Sequence, residues 1–499
     1  MNVRSLPAAG TLAAAALFGA TAMQGLAGGL QPQGGEIQLT RGMPGDQVNP
    51  ALVLSSTGGW IVWQDAAIDG DGLGIAGSRL LPDGSAVSGS TFRVNATVAG
   101  DQEDPAIAGL ANGGALVVWQ SGTQGFQRIV GRVLSPEGQT LPAGDLVISA
   151  GNGEHQVDPA VAVLDDGSVV VVWSSYRQDG SFSYDVFARR ILPSGQPAGD
   201  EFRVNSTMGM NRRTPAVTAL PGAGFLLAWV GERHAGMRNM LGDGSRVSGA
   251  GAAFYEVALY CRAYSSDGSP VGPEQKFSGL DAIASNPALA TLADGRVIAA
   301  WTRRGTSGSS GGLDVASRVL NAFGAPEGEE QTANVTLFGD QFRPKLSVSA
   351  HGVLAIWSSM GQDGSWEGVY GRWIDESGVP IGDEIPINGQ TGGGQILPAV
   401  VSDAGANLVI AWSSNLPRTG YEIFAQRFAP LLLKASPSGV GQLRLSWPTV
   451  PGGVYQLQSS PDGRFWSPAN GSRTASGPTD SVELSVAGQM VLYRVVRAR

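Results

Sequence analysis

Three closely spaced carboxylates are the first residues of this chain that could do chemistry. Asp65, Asp69 and Asp71 lie within seven residues of one another, and oxygen ligands at near-alternate positions suit a hard cation such as calcium. The full twelve-residue signature of a calcium-binding loop is absent, and Asp-Gly is also a common tight-turn dipeptide. The sequence therefore leaves two interpretations of these aspartates, a calcium site and a turn.

Polar residues at recurring positions form a second group of candidates. Asp179 and Asp363 each follow a tryptophan by six residues. A glutamine precedes a regularly spaced proline by three residues at five places. Such amides either hydrogen-bond the neighbouring backbone or face a ligand, so both groups are candidate ligand-binding residues. The glutamines are Gln47, Gln102, Gln156, Gln341 and Gln395.

A long insertion supplies the remaining candidates. Trp229 and Arg262 are 33 residues apart, against 16 for Trp173 and Arg189. The excess, residues 232–254, contains Arg233 and His234. Long loops often carry function, although a Gly/Ser-rich insert with no role would look the same.

Catalytic motifs are sparse. The three histidines, His155, His234 and His351, are not at metal-ligand spacing, and there is no phosphate-binding Gly-rich loop with its lysine. Carboxylates from different parts of the chain could still meet in one site, as glycoside cleavage requires.

Composition indicates a folded, turn-rich β protein. Glycine accounts for 73 of 499 residues, and charged residues for 15%, against averages of about 7% and about 25%. The net charge of −9 argues against a nucleic-acid partner. A single cysteine, Cys261, excludes a disulfide framework and is expected to be a small buried residue.

The first 22 residues resemble an export signal. Arg4 precedes an apolar stretch over 12–18, and Ala20-Thr21-Ala22 fits a small-x-small cleavage site. No later stretch is long and apolar enough to span a bilayer. We therefore expect a secreted or cell-surface protein with no transmembrane segment after cleavage.

A repeat of about 55 residues positions these candidates. Seven times, a proline is followed 13 or 14 residues later by a tryptophan. Each repeat reads as four short strands separated by Gly-rich turns, which is long enough for one propeller blade. The last repeat lacks a fourth strand, and the matching pattern, Glu36–Thr40, precedes the first. The pairs are Pro50/Trp63, Pro105/Trp119, Pro159/Trp173, Pro215/Trp229, Pro287/Trp301, Pro344/Trp357 and Pro398/Trp412.

The predicted fold is therefore all-β: a seven-bladed β-propeller over 36–429, whose last blade is closed by the N-terminal strand. Residues 23–35 are expected to be a linker. Residues 430–499 lack the repeat and carry separate strand patterns with Trp447, Tyr455 and Trp466, which predict a small β-sandwich.

The motifs resemble known exported proteins. Phe202-Arg-Val-Asn205, Val170–Trp173 and Gln178-Asp-Gly-Ser181 resemble a propeller-type repeat of exported bacterial proteins. Leu443-Arg-Leu-Ser-Trp447 and Tyr455-Gln-Leu-Gln458 resemble fibronectin type III-like C-terminal modules. The resemblance implies adhesion or surface association. It does not imply a reaction.

Three functions remain open. We expect a monomeric, non-catalytic protein that recognises an extracellular glycan, polymer or protein through the upper propeller face, with no cofactor apart from the calcium alternative. The second hypothesis is a polysaccharide hydrolase or lyase with carboxylates at the propeller mouth. The third is a structural spacer. Acidic groups about 5–10 Å apart beside exposed aromatics would favour the enzyme. Exposed aromatics without paired acids would favour the binding protein. A channel filled by apolar side chains would favour the spacer.

Overall fold

The computed structural model describes most of the chain, and every regular element in that part is a β-strand. The predicted export signal lies outside the described residues. The described ranges are 23–24, 29–149, 154–178, 182–207, 210–237, 253–279, 283–305, 312–349, 351–403, 407–417, 419–439, 442–461, 466–485 and 491–498.

Residues 30–430 form seven four-stranded antiparallel sheets, numbered I to VII along the chain. Two strands precede sheet I: β1 (Met23–Gln24) and β2 (Leu30–Gln38). Sheet I contains β3 (Gln47–Ser55), β4 (Gly58–Asp65), β5 (Gly74–Leu80) and β6 (Phe92–Arg93). Sheet II contains β7 (Asp101–Gly109), β8 (Ala115–Gly122), β9 (Arg128–Leu134) and β10 (Thr140–Val147). Sheet III contains β11 (His155–Val163), β12 (Val169–Tyr176), β13 (Tyr184–Ile191) and β14 (Phe202–Arg203).

The remaining sheets repeat this pattern. Sheet IV contains β15 (Asn211–Ala219), β16 (Phe225–Met237), β17 (Ala253–Tyr264) and β18 (Gln275–Lys276). Sheet V contains β19 (Ala284–Thr291), β20 (Val297–Arg304), β21 (Leu313–Leu320) and β22 (Gln331–Thr332). Sheet VI contains β23 (Gln341–Ser349), β24 (Gly352–Met360), β25 (Glu367–Ile374) and β26 (Pro380–Pro386). Sheet VII contains β27 (Gln395–Ser402), β28 (Leu408–Leu416) and β29 (Gly420–Pro430), with β2 as its fourth strand.

Each sheet packs face to face on its neighbours, as the residue types of the second strands require. In β12, Val169 to Val172 are fully buried because alternate side chains enter the cores on the two sides of sheet III. The repeat tryptophans are at most 1% exposed, and each packs against the preceding sheet. The core between sheets VII and I contains Trp63 and Ala411. The seven sheets therefore form a closed ring.

In each sheet, a polar side chain on the outermost strand, or just after it, binds the third strand. Its side-chain oxygen accepts a hydrogen bond from a backbone N–H of the third strand, as Asn205 does from Val186 at 2.9 Å. Thr40, which follows β2, accepts from the Ile423 N–H at 2.9 Å in sheet VII. The equivalent residues in the other sheets are Asn95, Ser149, Ser278, Asn334 and Asn388.

The N-terminal strand is longer than the sequence indicates. Residues 30–35, expected to be linker, belong to β2, because Leu30 to Gln33 pair with Arg427 to Pro430 at the end of β29. Met23 pairs with Ala435 of the C-terminal segment. The linker prediction was therefore wrong for 30–35, where backbone pairing extends the last sheet.

Residues 434–498 form two small sheets, the first of them together with β1. The first has the order β1, β30 (Lys434–Gly439), β31 (Gln442–Pro448) and β35 (Thr479–Ser485). In the second, β32 (Val454–Ser460) pairs with β33 (Ser467–Pro468), β34 (Arg473–Thr474) and β36 (Leu492–Ala498). Trp447, Tyr455 and Leu457 are buried in a common core.

Strand direction divides the loops between two faces of the ring. First strands begin on the face that we call upper, so this face carries the connectors between sheets and the loops between second and third strands. The lower face carries the other two sets of turns. Leu30 and Pro430 pair at the lower face, and Arg494 of the C-terminal segment lies 3.2 Å from Asp383 of sheet VI.

Candidate functional site

A ring of seven side chains lines the central channel. Each belongs to the residue before a repeat proline, and each has a positive φ between 49° and 57°. They border a cavity of about 490 Å³ together with the prolines and the next residues of each first strand. That volume lies within the usual range for small-ligand sites. The seven residues are Asn49, Asp104, Asp158, Thr214, Asn286, Arg343 and Leu397.

The local backbone explains this ring. Pairing between the first and second strands of each sheet shifts register around this residue, as between Glu103 and Ala106 in sheet II, so the strand bulges there. In sheets I, II, III and VI, the backbone N–H of this residue turns to the preceding sheet and donates to the residue after its tryptophan. The Thr214 N–H of sheet IV donates to Asp158. Arg343 donates to Thr302 Oγ1 at 2.9 Å, and Asn49 donates to Ser413 Oγ at 3.1 Å.

Asp104 is a residue of this ring whose carboxyl group has a raised pKa. Its Oδ1 accepts a hydrogen bond of 2.8 Å from Asn49 Nδ2. Burial raises the pKa of Asp104, and the negative charges of Asp158 and Glu103 raise it further, to about 6. The positive charges of Arg343 and Lys345 act in the opposite direction. Asp104 can therefore hold or release a proton near neutral pH.

Asp158 provides a second channel carboxylate in the next sheet. Its Oδ2 accepts long hydrogen bonds from the Thr214 N–H at 3.4 Å and Ser174 Oγ at 3.5 Å. Burial raises its pKa as well. Gln120 links the backbone of Asp158 to the Glu103 carboxylate: its Oε1 accepts from the Asp158 backbone N–H at 3.2 Å, and its Nε2 donates to Glu103 Oε2 at 3.1 Å.

A histidine–tyrosine pair lies above Asp158 at the upper end of sheet III. His155 Nδ1 is 2.6 Å from the Tyr184 hydroxyl, and the Tyr184 and Tyr176 rings are 5.1 Å apart. Burial lowers the pKa of His155, opposed by the charges of Asp158 and Glu103. His155 is therefore neutral at and above neutral pH and can share a proton with Tyr184.

The opposite wall of the channel is basic. Sheet VI contributes Arg343 and Lys345 on either side of Pro344, and both side chains line the cavity. Both are exposed to the water of the channel, although protein surrounds them. Burial lowers the pKa of Lys345, and the charge of Arg343 lowers it further. The cavity therefore has an acidic side on sheets II and III and a basic side on sheet VI.

Exposed aromatic rings are concentrated on the upper face. Phe126, Phe182 and Trp366 lie in loops between second and third strands, and Phe338 lies in the connector before sheet VI. Their exposed fractions are 72%, 78%, 69% and 71%, respectively. The guanidinium of Arg177 lies 4.4 Å from the centre of the Phe182 ring. Flat, exposed rings of this kind suit stacking on the apolar faces of sugars.

The repeated glutamines lie inside the sheets. All five are 0% exposed, and four donate to backbone carbonyls of the upper connectors, as Gln102 does to Gly100 O at 2.7 Å. Gln156 accepts from Ser149 Oγ. In sheet IV, Arg212 takes the glutamine position and pairs with Asp185 at 3.1 Å. This arrangement matches backbone binding, the first of the two interpretations. The four donors are Gln47, Gln102, Gln341 and Gln395.

The three closely spaced aspartates use their carboxylates within the protein. Asp65 is buried and accepts from Trp63 Nε1 at 3.1 Å and the Ala67 N–H at 2.9 Å. Asp69 accepts from Asn95 Nδ2 at 2.8 Å and the Asp71 N–H at 3.2 Å. Within the described ranges, no three carboxylate, histidine or cysteine side chains come together as a metal-binding group. The structure therefore does not bring these aspartates together as calcium ligands.

Of the remaining candidates, Asp363 accepts from the Ser365 N–H at 3.0 Å in a turn, and Asp179 lies outside the described residues. The insertion is partly strand, since β16 and β17 extend to pair Arg233 with Glu256 and His234 with Tyr255. Arg233 is exposed and forms an ion pair with Glu256 at 2.5 Å. Residues 238–252 lie outside the described residues. Arg233 does not line the channel cavity, and the His234 side chain lies outside the described part of the structure.

The channel residues were missed at the sequence level, although a signal for them exists. Four of the seven residues before the repeat prolines are Asn or Asp, the types that tolerate positive φ most readily. The proline that follows this residue begins a run of mostly small and apolar residues, as in Pro159–Val163. Aligning the repeats on their prolines would have placed Asp104, Asp158 and Arg343 at one equivalent position.

Comparison with known proteins gives weak similarities. No family model matches the chain, and no curated protein matches it. Among solved structures, a protein of unknown function from Dyadobacter fermentans is 13% identical with a TM-score of 0.44, over 66% of this chain and 94% of that one. An α-L-arabinanase from Penicillium chrysogenum is 14% identical with a TM-score of 0.41, over 65% and 92%. A polysaccharide lyase, Uly1, is 10% identical with a TM-score of 0.47, over 78% and 90%. Similarity at this level does not define a reaction for this chain.

No helix in the described part of the chain has the length and apolar character needed to cross a membrane.

Proposed function

We propose that residues 30–430 are a seven-bladed β-propeller and that residues 434–498 are a β-sandwich attached to its lower face. The closed succession of seven sheet-to-sheet cores supports the first part. The common core of Trp447, Tyr455 and Leu457 between two small sheets supports the second. The upper face then remains accessible to a large ligand.

We further propose that the protein cleaves a polysaccharide at the upper end of the channel. The observation that carries this proposal is the pair of channel carboxylates, Asp104 with a pKa of about 6 and Asp158 in the next sheet. Glycoside hydrolysis needs one protonated and one ionised carboxyl group on either side of the scissile bond. The exposed aromatics of the upper face supply a surface for the rest of the polymer.

The roles follow from the two environments. Asp104, whose protonated form is favoured by burial and by two neighbouring negative charges, acts as the general acid and protonates the glycosidic oxygen as the bond to the anomeric carbon breaks. Asp158, which accepts two hydrogen bonds, acts as the second carboxylate, as base for the attacking water or as nucleophile. Asn49 positions Asp104 by its hydrogen bond.

The predicted export signal belongs to the same proposal. A polysaccharide outside the cell is too large to be imported intact, so an enzyme that cleaves it has to be exported. The negative net charge of −9 disfavours nucleic acid as the polymer. We propose a monomeric, secreted or surface-associated enzyme that acts on a glycan.

The test is a screen of purified protein against a panel of neutral and acidic polysaccharides, with the release of reducing ends as the readout. Asp104→Asn should reduce kcat at least 100-fold, because a general acid contributes about 10²–10⁴-fold. Asp200→Asn, which neutralises an exposed carboxylate between β13 and β14, should leave the rate unchanged. Wild-type turnover by Asp104→Asn would overturn the assignment.

Non-catalytic glycan binding is the second candidate, favoured by the four exposed aromatics of the upper face. It predicts retention of the wild-type protein on an immobilised polysaccharide with no change in polymer length. The same panel separates the two functions, because an enzyme shortens the polymer and a binding protein does not.

A further inference from the structure

The proposed cleavage step gives no role to the two basic residues on the wall of the channel. Arg343 and Lys345 line the cavity on sheet VI, and Lys345 is one of three lysines in the chain. In the part of the chain that the structure describes, the Arg343 guanidinium and the Lys345 ammonium have no hydrogen bond or ion pair. By contrast, Arg132, Arg189 and Arg372 of the third strands each donate to a backbone carbonyl of the preceding sheet.

Two adjacent cations enclosed by protein are unfavourable without an anion. Lys345 loses part of its hydration and is repelled by the charge of Arg343, which is why the pKa of Lys345 falls. Asp104 is near enough to act electrostatically on Lys345, but its side chain is hydrogen-bonded to Asn49 on the other side of the channel. An oxyanion bound between Arg343 and Lys345 would offset both charges.

The position of this wall relates it to the carboxylates. In a ring of seven sheets, sheet VI is three sheets from both sheet II and sheet III, which is the largest separation possible. A ligand that spans the cavity therefore contacts Asp104 or Asp158 with one side and Arg343 and Lys345 with the other. A sugar with an acidic substituent has such a pair of ends, because its glycosidic oxygen and its oxyanion lie on different ring carbons.

We propose that Arg343 and Lys345 form a subsite for an oxyanion carried by a sugar ring, so that the substrate is an acidic polysaccharide. This inference rests on the proposed function for its catalytic meaning, but binding at the subsite does not require cleavage. The shared chemistry is a singly charged, planar or tetrahedral oxyanion that Arg343 binds through two N–H groups and Lys345 through its ammonium. A uronic acid carboxylate and a sulfate ester are the two sources of that oxyanion.

The test is isothermal titration of the full chain with glucuronate, glucose 6-sulfate, glucose and inorganic sulfate. We expect at least one of the two acidic sugars to bind at least 10-fold more tightly than glucose, and the better of the two identifies the oxyanion. Arg343→Gln and Lys345→Met should each weaken that binding at least 10-fold. Lys276→Met, which removes a lysine from the outermost strand of sheet IV, should leave it unchanged. Thermal unfolding of each variant confirms that it is folded.

Several results would overturn the subsite: equal affinity for glucuronate, glucose 6-sulfate and glucose, unchanged binding in Lys345→Met, or binding of inorganic sulfate alone. Asp104→Asn separates this inference from the proposed function, because it should reduce cleavage at least 100-fold and keep the binding of acidic sugar. Acidic-sugar binding that depends on Lys345, without cleavage of any polymer, would reject only the enzyme. Cleavage of neutral polymers by Lys345→Met at the wild-type rate would reject only the subsite.

Discussion

The side-chain amide of Asn49 donates a 2.8 Å hydrogen bond to the carboxylate of Asp104, and the two residues occupy equivalent positions in neighbouring sheets. The bond therefore crosses from one sheet to the next inside the channel. It fixes the orientation of a carboxyl group whose pKa is raised to about 6, in a cavity that also contains Asp158, Arg343 and Lys345.

Asp104 is expected to make stability depend on pH. Its folded pKa of about 6 lies above the ordinary value of 3.8, so the folded protein holds this proton more tightly than the unfolded chain. The contribution of Asp104 to the free energy of unfolding is therefore largest below about pH 4 and falls as the pH rises to about 6. Asp104→Asn should remove this dependence and be more stable than wild type at pH 7, by at most about 3 kcal/mol.

Urea unfolding of both proteins at pH 4.5 and pH 7 measures this effect. Asp200→Asn serves as the control, with the same pH dependence as wild type. An increase in the stability of the wild-type protein relative to Asp104→Asn as the pH rises from 4.5 to 7 would contradict the raised pKa.

The exposed aromatics of the upper face are expected to contribute to polymer binding and not to stability. Trp366→Ala and Phe182→Ala should each weaken retention on the bound polysaccharide about 2- to 10-fold, because an aromatic contact contributes about 0.5–1.5 kcal/mol. Phe323 is 59% exposed and lies in a lower-face turn of sheet V, so Phe323→Ala is the matched control. Affinity electrophoresis measures the retention, and equal loss in all three variants would remove the upper face from the binding site.

Thr40 is expected to hold the ring closed. Its hydroxyl accepts from the Ile423 N–H, and both residues are fully buried. Thr40→Val leaves that N–H without an acceptor and should lower the free energy of unfolding by about 1–3 kcal/mol. Thr40→Ser keeps an acceptor of the type that Ser149 and Ser278 provide in sheets II and IV, and should differ from wild type by less than half of that loss. Guanidinium unfolding compares them, and equal stability of Thr40→Val and Thr40→Ser would contradict this role.

Arg212 is expected to be replaceable by the residue of the other repeats. It is buried, pairs with Asp185 and donates to Met210 O at 2.9 Å. Arg212→Met leaves the Asp185 charge buried and should cost about 3–5 kcal/mol. Arg212→Gln should cost less, because Gln341 of sheet VI is already combined with an aspartate of sheet V, Asp314, through Asn334.

Thermal unfolding ranks the two Arg212 variants. The double variant Arg212→Gln with Asp185→Gly, which copies the Gly368 of sheet VI at this position, is the control in which no buried charge remains. If Arg212→Gln lowered the stability as much as Arg212→Met does, the positive charge of Arg212 itself would be needed.

The repeat made the sheets predictable from sequence. The spacing from proline to tryptophan fixes the first and second strands, because one buried tryptophan packs against the preceding sheet in every repeat. The Asp-Gly and Gly-rich turns mark the strand ends. The fourth strands were less predictable, as β10 and β26 show: both are longer than the two-residue fourth strands of sheets I, III, IV and V, because early pairing near Leu141 and Ile381 is followed by a register shift.

The candidate site was less predictable for a physical reason. Its residues are 54 or more positions apart along the chain, and only closure of the ring brings Asp104, Asp158 and Arg343 to one cavity. The repeated glutamines drew attention as a conspicuous pattern, yet a pattern that is the same in most repeats belongs to the framework. The residues that differ between repeats, such as Asp104 and Arg343, are the ones that give the channel its charge.

Every first strand bulges at the same point, so a single backbone shape displays Asn, Asp, Asp, Thr, Asn, Arg and Leu around one axis. Exchanging any of these side chains leaves the bulge and the flanking proline in place. The selectivity of the cavity can therefore be changed one position at a time, by natural variation or by a combinatorial library over the seven codons, while the surrounding scaffold stays the same.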